Sequence, residues 1–345
     1  MHRLYIIIVF LLFCFSAHAQ PDSLKRRIQS LQGQEKLKAL QCLTKMYLSV
    51  SPDSCVKYGS KTILMARELH DKFNEALANK RIGYSYYLQG EYEKSKLYYK
   101  KAYQLNIDNH DFLNAAEITN LFGDAYNQQG DCRSAIHYFT ETEKSCDTLI
   151  KNNLIKGSVK KLYSILYTNI GLLYYHLDSV QKPLNYFRNA LMYAIEIKDS
   201  TRIAASYSNI GMIYKKLKQF KPASDMYFSA LTISRSIGDK HYECKILNNI
   251  ANIYEIQGKI DSAMVYIKMS KKISTEMVDK SNISMADRNI ARYFIKLPQY
   301  DYALIQTRYE TGKKEHENAI LRQDKQIKKV HVSEVSHVAF NSFEV

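Results

Sequence analysis

Residues 208–214, Ser-Asn-Ile-Gly-Met-Ile-Tyr, followed at 223–230 by Ala-Ser-Asp-Met-Tyr-Phe-Ser-Ala, decide how this chain folds. In the first stretch an apolar residue precedes Gly211 and an aromatic, Tyr214, follows three positions later. The second stretch sets Ala223, Tyr227 and Ala230 at i, i+4 and i+7, which is one face of a helix. Working outward, the first signature recurs at Ile82-Gly83 with Tyr86, Phe122-Gly123 with Tyr126, Ile170-Gly171 with Tyr174, and Ile250-Ala251 with Tyr254. Weaker copies stand at Cys42-Leu43 with Met46 and at Ile290-Ala291 with Phe294. The steps between them are 40, 40, 48, 40, 40 and 40 residues. A register held over so many steps is the mark of a repeat array.

The second signature follows each time twelve residues after the small one: Ser95, Tyr99, Ala102; Ala135, Phe139, Thr142; Pro183, Phe187, Ala190; Ala263, Ile267, Ser270. Turn residues separate the two signatures at Gln89-Gly90, Gln129-Gly130, Gln257-Gly258 and Leu297-Pro298. Each repeat therefore reads as helix A, a tight turn and helix B. The fold class is all-α, a right-handed solenoid of about seven helix-turn-helix repeats over residues 20–308. The 48-residue step places an eight-residue insertion near Asn152–Lys161. The positions Gly83, Gly123, Gly171, Gly211 and Ala251 are structural. Glycine inside a helix costs up to about 1 kcal/mol against alanine, so close packing against the small residue of helix B is expected as compensation. The aromatics that follow are expected to fill the space between adjacent repeats.

These residues resemble the tetratricopeptide repeat family, whose pattern is an aromatic-leucine-glycine-tyrosine helix followed by alanine-phenylalanine-alanine. The forty-residue period exceeds the family's usual 34 and implies longer helices. A closer resemblance, to the extracytoplasmic repeat domains of Bacteroidota signalling proteins, rests on Asp22-Ser23-Leu24 with Ser51-Pro52-Asp53-Ser54, and on the stretch from Arg308 to Lys329. In that group a helical linker leads into a membrane helix and then a histidine kinase or DNA-binding domain. The resemblance implies a charged linker at 309–329, able to form a coiled coil and hence a homodimer. Residues 330–345 are polar, short and without periodicity, and are expected to be a disordered tail at the end of a truncated signalling protein. No output domain of that group is expected in this sequence.

The N-terminus has the three-part layout of a secretory signal peptide over residues 1–19. It runs from a basic start through the 11-residue apolar run Tyr5–Phe15 to an Ala17-His18-Ala19 cleavage site. Export to the periplasm is the expectation, and a retained N-terminal anchor the alternative. After cleavage no segment reaches membrane-spanning length. Net charge is +15, but lysine and arginine are spread along the chain without a long single-sign block. They read as solvated helix faces, and nucleic acid is not an expected partner. The cysteines other than Cys14 number five and form no C-x-x-C pair, so neither a disulfide framework nor a zinc site is expected. Cys42 and Cys55 face each other across the first hairpin and could bridge. Cys132 and Cys146 should not.

No catalytic constellation stands out, and neither an enzyme activity nor a cofactor or metal is expected. Gly59-Ser60-Lys61-Thr62 lacks the order of a phosphate-binding loop, and the metal-capable types at His241–Cys244 have no partners at ligand spacing. The binding candidates lie on the A helices, expected to line the concave face of a solenoid. They are Lys80, Tyr84, Tyr87, Asn120, Asp124, Asn127, Tyr175, Lys215, Asn248, Asn252, Glu255, Arg288 and Arg292, with Thr168 and Ser208 at equivalent positions. Asparagine, tyrosine and cations suit the backbone and carboxylates of an extended peptide. Asn169, Asn209, Asn249 and Asn289 are expected to hydrogen-bond between repeats. The functional expectation is a periplasmic module that binds a protein or peptide, the sensor part of a signalling protein. The alternative is a free-standing scaffold that organises envelope proteins through its outer faces.

Overall fold

A computed structural model describes residues 21–48, 50–152, 156–177 and 179–296. The signal peptide, the Leu297-Pro298 turn, the linker at 309–329 and the tail at 330–345 lie outside the described residues. Every element among the described residues is helical. The chain divides into two compact units, residues 1–170 and 171–345.

Unit 1 opens with α1 (Pro21–Ile28) and continues with α2 (Gly33–Tyr47), α3 (Pro52–Glu68), α4 (Lys72–Leu88), α5 (Tyr92–Asp108), α6 (Phe112–Gln128) and α7 (Cys132–Lys151). The division falls within α8 (Lys156–His176). Unit 2 then holds α9 (Gln181–Glu196), α10 (Ser200–Lys216), α11 (Phe220–Ser236), α12 (Lys240–Ile256), α13 (Ile260–Glu276) and α14 (Lys280–Lys296). Consecutive helices pair as antiparallel hairpins: α2 with α3, α4 with α5, α6 with α7, α10 with α11, α12 with α13. Two 17-residue helices and two three-residue turns fill the forty-residue step. The eight extra residues lengthen the flanking helices, to 20 residues in α7 and 21 in α8.

The B-helix signature forms the core. Ser95, Tyr99, Ala102, Ala135, Thr142, Phe187, Ala190, Ala223, Tyr227, Ala230, Ala263, Ile267 and Ser270 are fully buried, and Phe139 nearly so. The A-helix glycines sit against it, though differently from the expectation. A β-carbon on Gly123 would stand 2.5 Å from the Phe139 ring, and one on Gly83 would stand 2.6 Å from the Tyr99 ring. The small residue of helix B contributes only its carbonyl, Ser95 O at 3.1 Å from the Gly83 position. The missing side chain therefore makes room for an aromatic ring sixteen residues on. The aromatics of the A-helix signature also have a partner that the sequence did not name. Tyr86, Tyr126, Tyr174 and Tyr254 stack on Tyr98, Tyr138, Tyr186 and Tyr266 of their own hairpin, with centroids 5.3–5.7 Å apart, and Tyr126 also carries Lys96 of the preceding hairpin 4.2 Å above its ring.

The turns between hairpins are fused caps. After α3, His70 takes a left-handed conformation (φ 52°) and the Asp71 amide bonds back to Ala66 O at 2.8 Å, closing a Schellman motif. The same Asp71 is the N-cap of α4, its carboxylate accepting from the Asn74 amide at 3.0 Å. Asp111, Asp199, Asp239 and Asp279 repeat this double role. In the turns inside hairpins, Gly90, Gly130 and Gly258 supply the positive φ that their sequence predicted.

Cys132 and Cys146 lie on one unbroken helix, where 14 residues span roughly 21 Å. No disulfide joins Cys42 to Cys55 or any other pair among the described cysteines. Gly59–Thr62 lies in the interior of α3, with Gly59 against Ile82, so it forms no loop around a phosphate. In the 241–244 stretch, His241 pairs with Asp279 at 3.1 Å and Glu243 with Arg235 at 2.8 Å, while Cys244 packs on Ser270 and Ser274.

Candidate functional site

Successive A helices lie forty residues apart in sequence, and their exposed faces touch with an offset of three. A side chain at position i therefore meets position i+37. In unit 1, Lys80 Nζ on α4 meets Glu117 on α6 at 2.7 Å, with Asn114 Oδ1 at 3.5 Å. Tyr87 donates its hydroxyl proton to Asp124 on α6. In unit 2, Lys215 Nζ on α10 donates to Asn252 Oδ1 on α12 at 3.1 Å. Arg292 on α14 donates to Glu255 on α12 at 2.8 Å, and Asn248 Nδ2 meets Met285 Sδ at 3.5 Å. Of the thirteen candidates, Lys80, Tyr87 and Asp124 thus link neighbouring hairpins within unit 1, and Lys215, Asn248, Asn252, Glu255 and Arg292 do so within unit 2. The sequence reading missed Glu117, whose signal was the 37-residue spacing, and Asn114, 34 residues from Lys80.

The remaining candidates are placed as follows. Tyr84 stacks on Tyr87 with centroids 5.7 Å apart, and Asn127 is half-buried on the same face of α6 as Asp124. Asn120 is buried and accepts from Asn169 at 3.4 Å. Tyr175 carries the Lys216 ammonium 4.7 Å above its ring. Arg288 is exposed on α14. Thr168 bonds to Ser164 O of its own helix, and Ser208 to Tyr242. The recurrent asparagines divide. Asn169 bonds across to Asn120, as expected, whereas Asn289 accepts from Arg292 of its own helix. Asn209 and Asn249 make no side-chain hydrogen bond among the described residues, so the expectation fails for them.

Electrostatics separates the two units. In unit 1 burial raises the Asp124 carboxyl above its ordinary range, against the hydrogen bonds from Tyr87 and Gln128 that pull it down. Burial, and then the charge of Asp124, raise the hydroxyls of Tyr84 and Tyr87. In unit 2 burial lowers the Lys215 ammonium. Its described partner is the neutral amide of Asn252, with no carboxylate at ion-pair distance among the described residues. Beside it, Asn248 Oδ1 is buried with no hydrogen-bond partner. A half-buried ammonium and unused amides form a surface that can take carboxylate and peptide oxygens. The face presents no constellation for bond-making chemistry among the described residues.

A family model described as tetratricopeptide repeat matches residues 81–109 and 204–237. These are α5 with the end of α4, and most of α10 with α11. No curated protein matches the sequence. Among solved structures, the chain is similar to a STAND-type signal-transduction ATPase with a tetratricopeptide repeat sensor from Pyrococcus horikoshii. The TM-score is 0.61 at 14% identity, over 98% of this chain and 53% of that one. It is also similar to the Cut9–Hcn1 assembly of the APC/C (TM-score 0.55, 20% identity, 79% of this chain, 46% of that one). A third is a Rap protein complexed with Competence and Sporulation Factor (TM-score 0.54, 16% identity, 91% and 87%). The chain spans about half the length of the first two, and at these identities the likeness is one of fold. With the matched segments in register with every other hairpin described above, this chain carries tetratricopeptide repeats and folds as tetratricopeptide-repeat proteins do.

Proposed function

We propose that the chain is a binding module that holds an extended segment of a protein or peptide along its A-helix faces, as the exported sensor part of a signalling protein. The observation that carries this reading is in unit 2: the half-buried Lys215 ammonium paired only with an amide, beside the unpartnered Asn248 Oδ1. A buried polar atom without a partner costs about 1–3 kcal/mol, and a ligand that supplies the missing group recovers it. The repeat fold and the Rap protein found with its factor are compatible with this reading. No helix among the described residues is long and apolar enough to cross a membrane.

The test is an array of twelve-residue peptides of varied charge, probed with the mature chain and with Lys215→Glu. Acidic peptides are expected to bind, and the variant is expected to lose them at least tenfold while keeping its helical far-UV spectrum. Equal binding by the two proteins would overturn the reading and favour the scaffold alternative, in which outer faces carry the partner.

A further inference from the structure

In unit 1 two tyrosines lie beside one carboxylate, and a third packs on one of them. Tyr84 and Tyr87 are one turn apart on α4 and stack at 5.7 Å with their planes 15° apart. Tyr92, at the start of α5, meets Tyr87 edge-on at 5.8 Å and 62°. Asp124 on α6 accepts from Tyr87 and from Gln128, one turn on. Beneath them lies the fully buried Tyr99, within electrostatic reach of Asp124 and Tyr84. Its hydroxyl stands near Ser95 Oγ, yet neither oxygen finds hydrogen-bond geometry with any partner.

Charge is unbalanced here in an unusual direction. The chain carries +15, yet no lysine or arginine among the described residues stands at ion-pair distance from Asp124. The nearest candidate by position, Lys80, is one turn before Tyr84 and is committed to Glu117 at 2.7 Å. Lys96 on α5 is held by Glu93 and by the Tyr126 ring. Half-burying the Asp124 carboxylate with hydroxyl and amide donors but no cation leaves part of its charge uncompensated. Tyrosine faces attract cations through their quadrupole, and more strongly where water is excluded. An alkylammonium or guanidinium would meet both needs: its charge pairs with Asp124, and its methylenes lie on the phenol rings.

We propose that Tyr84, Tyr87, Tyr92 and Asp124 form a site for an organic cation, the basic side chain of a lysine or arginine presented by the ligand. The side chain enters between α4 and α6. The proposal deepens the peptide reading by assigning unit 1 a basic residue of a ligand. It rests on that reading only for the source of the cation.

The experiment uses the mature chain with ring-labelled tyrosine and follows the Tyr84 and Tyr87 resonances, assigned by substitution. The probes are blocked lysine (N-acetyl, C-methylamide) and its uncharged counterpart, blocked norleucine. Blocked lysine is expected to shift both resonances saturably, at least tenfold more tightly than norleucine. Asp124→Asn, folded by its far-UV spectrum, is expected to lose that tenfold preference, and Tyr84→Leu to weaken it. The proposal is overturned if norleucine binds as well as lysine, if neither probe shifts the resonances, or if Asp124→Asn retains the preference. Binding of blocked lysine with no peptide captured on the array would remove the peptide reading and leave the cation site standing. Peptide binding indifferent to lysine and arginine would do the reverse.

Discussion

Gly123 and Gly211 occupy the same place in their repeats but have different room. A β-carbon at Gly123 would meet the Phe139 ring at 2.5 Å, whereas at Gly211 the nearest atoms, in Tyr227 and Ala223, stand at 3.1–3.2 Å. Overpacking costs about 1–3 kcal/mol, while alanine gains up to about 1 kcal/mol over glycine in a helix. Gly123→Ala is therefore expected to lower the melting temperature, and Gly211→Ala to leave it within a degree or two. Similar losses for both variants would show that the ring position does not decide the outcome. Asp124 gives a second test. Burial raises its pKa in the folded chain, so the proton is held more tightly in the folded than in the unfolded state. Its contribution to stability is then greatest below the ordinary carboxylate pKa and falls as pH rises through the folded value. Asp124→Asn should melt higher than the parent at pH 7, and the gap should narrow as pH falls through the raised folded pKa toward about 4; a gap that widens instead contradicts this assignment. The sequence alone showed that these glycines and this aspartate matter by position, because the forty-residue register is visible. It did not show their partners. The ring that fills the glycine notch belongs to another helix, and its tilt depends on how the hairpin closes.

At the scale of the element, the repeat hairpin was legible because its two helices must bury one face each, which imposes the spacing read at 208–230. The B-helix signature is buried almost residue for residue, alongside apolar residues of the A helices. The joints between hairpins were also written in the sequence but went unread. Asp71 and Asp111 are separated by 40 residues, as are Asp199, Asp239 and Asp279, each a C-terminal lock for one helix and the N-cap of the next. Asp239→Ala should cost about 1 kcal/mol, measured by urea unfolding; no change would mean that water replaces the cap. The residue before each aspartate adopts a left-handed conformation, and in the last described joint it is Val278, exposed and at φ 57°. A β-branched residue there is strained by roughly 1–3 kcal/mol. Val278→Gly is expected to stabilise the chain by about 1 kcal/mol despite the added backbone freedom. A loss would show that the valine side chain makes a compensating contact.

At the scale of the whole molecule, the A-helix faces are knit by side chains that the sequence could only place on a common face. Lys80 with Glu117 and Glu255 with Arg292 became pairs only once the angle between successive hairpins set the three-residue offset. Nothing in a one-dimensional period encodes that angle. These bonds run from one hairpin to the next, and their consequence is mechanical. A chain held by neighbour-to-neighbour fastenings should not tear at once under tension but should give way hairpin by hairpin. Each released repeat of forty residues would lengthen the molecule by roughly 130 Å, at about 3.3 Å per extended residue. Stretched between its ends in an optical trap, the protein should show a staircase of such steps, and a single large rip would refute it. The fastenings differ in kind: a charged pair binds α12 to α14, whereas α10 is tied to α12 through an amide. Added salt should therefore lower the force of some steps and leave others where they were, so that the order of release becomes a property of the solvent.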